Sequence, residues 1–400
     1  MQSRIASKFR RPEMLLLLMA AGVPLSFATW QALLNNFAIE SAAFSGAEIG
    51  VLQSLREVPG FLAFAVVFVL LVMREQTLAL LSLSLLGIGV ALTGFFPTVI
   101  GLYCTTVLMS VGFHYYETIQ SSLALQWIEK ERAPETFGRL IAVGSFTGLV
   151  AYGLVWLSFE FLDLGYQMTY LVAGGLTTAI AIVAWLAFPR YPERVVQHRK
   201  IILRRRYWLY YGLTFLSGAR RQIFMVFAGF LLVERFGYGV DDIALLFLAN
   251  GVISMFLAPK IGRLIHRWGE RRALVFEYLG LCGVFMAYAF VSSPELAAVL
   301  YVIDHMFFAL AIAIKTYFQK IADPADIAST AAVGFTINHI AAVIIPVSFG
   351  LLWLVSPAAV FLAGAAMSCA SAALAMLVPR RPAPGSETVL VPTVEPVQAG

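Results

Sequence analysis

Charge is what this chain has least of: 13% of its 400 residues are Asp, Glu, Lys or Arg, against 60% that are hydrophobic. A soluble domain carries about 25% charged residues. A soluble globular fold is therefore excluded, and the chain reads as an integral membrane protein. Cysteine is scarce too. The three cysteines, Cys104, Cys282 and Cys369, fall inside apolar stretches and supply no disulfide framework. There is no Gly-rich phosphate loop ending in Lys-Ser/Thr and no loop that could house a nucleotide domain, so transport driven by bound nucleotide is not expected. No nucleophile, base and orienter share a persuasive spacing, which argues against an enzyme, and no cofactor is expected.

What the chain has is long apolar runs. Crossing roughly 30 Å of hydrocarbon takes about 20 helical residues. Twelve stretches qualify: 14–37, 48–73, 77–96, 98–127, 138–160, 166–188, 207–234, 240–264, 272–292, 295–318, 327–354 and 357–378. An all-α membrane protein of twelve spans follows. The first run is too long for a signal-peptide core and eleven more follow it, so it is read as an uncleaved helix.

Lysine and arginine set the orientation. Arg4, Lys8, Arg10 and Arg11, the positives at 130–139, those from Arg190 to Arg206, those from Lys260 to Arg272, and Arg380 with Arg381 all fall on one side. The opposite loops hold Arg235 among acids such as Glu40, Glu160, Asp241 and Asp242. The positive-inside rule then puts both termini in the cytoplasm, in a bacterial inner membrane, and the net charge of +5 describes topology rather than a nucleic-acid partner.

The basic segment 189–206 divides the chain into two six-helix halves, 14–188 and 207–378, flanked by a short amino terminus (1–13) and a Pro- and Val-rich tail, 379–400, expected to be disordered. The halves look like copies. Sliding residues 125–160 onto 315–350 superimposes Pro134 on Pro324, "AVG" at 142–144 on "AVG" at 332–334, and "SF" at 158–159 on "SF" at 348–349. Halves of this kind are a transporter architecture.

"GRLIHRWGERR", residues 262–272, resembles the cytoplasmic-loop signature of the major facilitator superfamily, roughly G-x-x-x-D-R-x-G-R-R. Gly262, Arg267, Gly269, Arg271 and Arg272 fit, while His266 stands where the family has an acid and Glu270 interrupts the basic run. The corresponding loop of the first half, "VMREQTLAL", keeps almost none of the pattern. The resemblance implies a major facilitator fold with a substrate cavity between the halves and gating at this loop.

Ionisable groups inside the spans cost on the order of 3 kcal/mol each and so mark function. Away from the helix ends they are Arg56 and Glu57; His114 and Glu117; Arg220 and Arg221; Asp304 and His305; His339, next to the polar Asn338; and Glu277, which is expected to pair with the basic loop before it. His114, Arg220 and Asp304 lie 13 residues from Trp127, Tyr207 and Tyr317 at the cytoplasmic ends of their spans, one layer about 20 Å deep. Guanidinium forks suit carboxylate or phosphate, so Arg220 and Arg221, with His114, Trp30, Gln31, Tyr116 and Asn338, are candidates for substrate contact. Glu117, Asp304 and His305 are candidates for proton coupling. His114 and Glu117 share a helical face, but without a matching pair they make no metal site. Arg56 and Glu57, pointing about 100° apart, are expected not to neutralise each other but to serve with His339, Gly262, Arg267, Gly269 and Arg271 in gating, near Asn338, His339 or Glu117.

The function expected is a secondary active transporter of a small organic solute, coupled to protons or another ion, with an anionic or polar substrate, acting as a monomer in the lipid bilayer. The alternatives are a polyspecific drug antiporter and a transport-inactive receptor.

Overall fold

The computed structural model describes residues 11–127, 133–191, 203–323 and 327–390. Lys8, Lys130, Arg132, most of the basic linker, Pro324 and the end of the tail lie outside them. Every regular element among the described residues is helical, apart from one isolated bridge between Ala383 and Ser386. Among the described residues, eleven helical stretches are long and apolar enough to cross a membrane.

The first compact unit comprises Met1–Gln197 with Gly237–Gly251. It contains α1 (Pro12–Ala42), α2 (Gly46–Phe61), the short α3 (Val66–Val69), α4 (Glu75–Thr93), α5 (Val99–Trp127), α6 (Ala133–Glu160) and α7 (Gly165–Ala187). The expected crossing at 48–73 is not one helix. Helix α2 begins on a capping box in which Ser45 and Glu48 serve each other's ends, and it stops at Phe61, two residues after Pro59. Proline gives the ladder no donor and Gly60 adds no stiffness, so the chain tightens into a 3-10 turn at Ala63–Ala65 before α3.

Helix α4 packs along α5 and α7 at backbone distance. A methyl group on Gly89 would sit 2.6 Å from the Met109 backbone nitrogen, and one on Gly174 would sit 2.8 Å from Ala91 Cα. Small residues allow this approach, which in lipid replaces the missing hydrophobic drive with van der Waals contact. Helices α1 and α7 are tied by the Ser26 hydroxyl, which donates to Thr177 Oγ1 at 2.8 Å, and by the Thr177 hydroxyl, which donates to the Gly22 carbonyl at 2.8 Å.

The second unit comprises His198–Phe236 with Val252–Gly400. Its elements are α8 (Trp208–Gln222), a π-helical turn at Ile223–Ala228, α9 (Gly229–Glu234), α10 (Val240–Trp268, which begins in the first unit), α11 (Glu270–Phe290), α12 (Pro294–Phe308), a 3-10 turn at Ala309–Ala311, α13 (Ile312–Ile321), α14 (Ile327–Val355) and α15 (Pro357–Ala375). The seventh expected span is thus irregular just after Arg220 and Arg221. Gly218 lets Asn338 lie against α8, where an added methyl would meet Asn338 Oδ1 at 2.5 Å.

One end of this unit is an aromatic cluster that includes Tyr207, Tyr210, Tyr278, Tyr317 and Phe318. Tyr210 stacks on Phe318 with centroids 4.3 Å apart. The tail after Val378 was expected to be disordered, yet residues up to 390 pack here. Tyr317 donates its hydroxyl proton to the Glu387 carbonyl, Val389 N–H donates to the Leu377 carbonyl at 2.9 Å, and Thr388 is buried. Composition gives no sign of this, because the tail is ordered by two hydrogen bonds to backbone carbonyls and by the aromatic floor it lies on.

Candidate functional site

Arg56 and Glu57 are both buried and form an ion pair with each other. This corrects the expectation that neighbouring residues pointing 100° apart would not neutralise each other. Both side chains are long enough to bend their heads together, and burial strongly rewards doing so. The pair sits against α1 and α5: the Arg56 guanidinium lies 5.9 Å from the Phe27 ring centre, and the Ser110 hydroxyl donates to the Arg56 carbonyl.

On α5, His114 is buried with its ring edge-on to Phe113 at 5.1 Å. Glu117 is exposed and opens onto a cleft of about 280 Å³. Ala20, Val23 and Pro24 of α1, Gln120 of α5, and Leu140 and Ile141 of α6 are among its walls, and Tyr116 borders it. The cleft is apolar with one acid and one amide. Gln31 is half-buried, and Trp30 is fully buried against Phe27, so Trp30 does not face open space in this conformation.

The adjacent arginines of α8 part company. Arg221 is exposed, and its Nε donates to Met225 Sδ at 3.3 Å. It interacts electrostatically with His305 of α12, also exposed, whose ring lies 6.3 Å from that of Phe224. Arg220 turns inward and is fully buried, with its guanidinium 4.1 Å from the Tyr278 ring centre and its Nε donating to the Leu216 carbonyl at 3.2 Å. It is therefore out of a solute's reach here. Asp304, one residue before His305, is also fully buried, so the two members of each adjacent pair divide between interior and surface.

Glu277 was expected to pair with the basic loop. It is instead fully buried and interacts electrostatically with Arg220 and Asp304. The acid that takes a basic partner at that end is Glu270, nearly buried, with Lys320 Nζ at 2.6 Å. Two helical turns separate Glu270 from Glu277. At that depth the groups within reach of Glu277 belong to other spans, Arg220 and Asp304, and not to the loop.

The loop residues are placed as follows. Gly262 lies within α10, Arg267 is exposed, Gly269 caps α11 with φ of +78°, and Arg271 is half-buried. The positive φ makes glycine the residue of choice at that cap. His339 is buried with its ring 4.3 Å from Phe335, and Asn338 is half-buried. The structure also brings Cys282 and Cys369 together as free thiols, Sγ to Sγ 3.4 Å. Their distance in sequence hid this. Among the described residues no group of three or more His, Cys, Asp or Glu is placed to hold a metal ion.

Helical stretches long and apolar enough to cross a membrane, with charged side chains between their ends in each unit, define a polytopic membrane protein. The sequence matches the Major Facilitator Superfamily over residues 14–346, and the chain belongs to that family. It is similar in fold to the nucleoside transporter NupG in a mutant form, with TM-score 0.75 and 14% identity over 92% of this chain and 99% of that one. A bacterial homologue of the human lysosomal transporter Spinster, inward-facing and occupied, gives TM-score 0.71 and 16% identity over 91% and 95%. A POT family transporter in complex with 5-aminolevulinic acid gives 0.72 and 12% over 90% and 94%. These likenesses show the fold. No curated protein sequence matches the chain.

Proposed function

We propose that the protein is a proton-coupled secondary transporter of a small organic solute bearing an anionic or strongly polar group, working by alternating access. The observation that carries this reading is the exposed Arg221 beside His305 in mid-span. A charge exposed to lipid at that depth costs on the order of 3 kcal/mol, so the pair is read as facing water, where a guanidinium can take a carboxylate or phosphate. Glu117 at the cleft of the first unit is the proposed proton carrier. The positive-inside pattern supports cytoplasmic termini in an inner membrane, and the unit of function proposed is the monomer.

A second reading has its own support. The cleft at Glu117 is apolar with a single acid, which fits a lipophilic cation and export by proton exchange. Protein reconstituted in liposomes under an imposed pH gradient separates the two. On the first reading, carboxylate or phosphate solutes drive proton movement, and Arg221→Gln raises KM about 10- to 100-fold, the worth of one charge-assisted hydrogen bond. On the second, lipophilic amines do so and Arg221→Gln is nearly silent. Under either reading Glu117→Gln keeps solute exchange but loses the response to the gradient. No solute flux under any gradient or potential would end both.

A further inference from the structure

Two of the three cysteines meet in the second unit. Cys282 of α11 and Cys369 of α15 are 87 residues apart in the chain, yet their Sγ atoms lie 3.4 Å from each other as free thiols. A residue touches about ten others, so three cysteines scattered at random over 400 positions would give a contacting pair in fewer than about one chain in ten. The two helices are also packed closely at this level. Gly364 of α15 faces the ring of Phe285 of α11, and a methyl group on it would lie 3.1 Å from that ring.

The thiols border an apolar surface. Cys369 is exposed in line with Leu362, Ala366 and Ala373, and Cys282 is half-buried beside the exposed Leu279, Gly283 and Met286. Spacings of three and four residues put each set on one helical face. Past Arg272, the residues exposed on α11 are all apolar, and those exposed on α15 are apolar except for Cys369 itself. Polar side chains within a span face the bundle interior or water, so a face without them is turned to hydrocarbon. Each thiol is at least six residues, about 9 Å, from the nearer end of its helix. Cytoplasmic glutathione keeps thiols in water reduced, but a charged peptide enters hydrocarbon at a steep cost. The reagents within reach are those dissolved in the bilayer.

We propose that Cys282 and Cys369 are a redox-active dithiol that a quinone dissolved in the bilayer closes to a disulfide, tying α11 to α15. Each thiol gives up its hydrogen, the S–S bond forms, and two electrons and two protons reduce the quinone to its quinol. The sulfurs must approach to about 2 Å, a distance that rotation about χ1 of either cysteine covers. The site stands apart from Arg221 and Glu117 and needs no transport activity.

The test treats the protein in liposomes with decylubiquinone, denatures it, and counts free thiols with a maleimide mass tag. Three tags are expected before treatment and one after, with Cys104 of the first unit as the survivor, and dithiothreitol added after denaturation should restore all three. Cys282→Ser and Cys369→Ser should each carry two tags before and after. Three tags persisting in wild type, a loss shared by the single variants, a covalent dimer, or tags that dithiothreitol does not restore would each overturn the dithiol. Glutathione disulfide should block the pair at least about 10-fold more slowly in liposomes than in the denatured chain. Equal rates would overturn the lipid-facing site.

Discussion

Leucine in place of Arg56 should destabilise the detergent-solubilised protein by about 3–5 kcal/mol, seen as a large fall in melting temperature. The cost arises because Glu57 stays buried after its ion-pair partner is gone. The double variant Arg56→Leu with Glu57→Leu should recover most of the loss, since two apolar side chains of similar bulk leave no charge behind. A near-neutral single variant, or a double variant no better than the single, would show that the pair is not what holds this region. The same single variant probes gating. If the pair latches one conformation, cysteine labelling from the two sides of the membrane will change its pattern when Arg56 is removed.

The second large effect separates two adjacent glycines of α7. A side chain at Gly174 would run into the backbone of α4, with Ala91 Cα 2.8 Å away and the Gly87 carbonyl nearer still, whereas one at Gly175 would meet nothing within 4 Å. Gly174→Val should therefore force α7 off α4 and cost about 3 kcal/mol or more, the upper end of overpacking penalties, because backbone cannot rotate aside. Gly175→Val should change stability by no more than about 0.5 kcal/mol. Helix propensity is altered alike in both, so equal melting temperatures would refute close α4–α7 packing as the source of stability.

The spans, the scarcity of charge and the loop signature were legible because each is a property of consecutive residues. The break in the second span was partly legible, since Pro59 and Gly60 announce it. The irregular turn after Arg220 was not, because nothing in "IFMVFA" differs from an ordinary apolar run. Among the candidate residues, the sequence singled out Arg220, Arg221, Asp304 and His305 by charge and depth alone. It did not say which of each pair turns inward. That choice depends on what stands opposite, and the deciding partners, Tyr278 and Glu277, lie more than 50 residues from Arg220.

By itself, the sequence determined that this is a many-span helical membrane protein with a costly set of charges inside its apolar runs. Composition and periodicity are enough for that, because lipid admits only helices at such hydropathy. The tertiary structure alone decided that Arg56 takes Glu57, that Glu270 takes Lys320, and that Glu277 joins Arg220 and Asp304 in the interior. A buried charge is settled by whichever opposite charge packing brings near it, and packing joins residues that the chain keeps far apart.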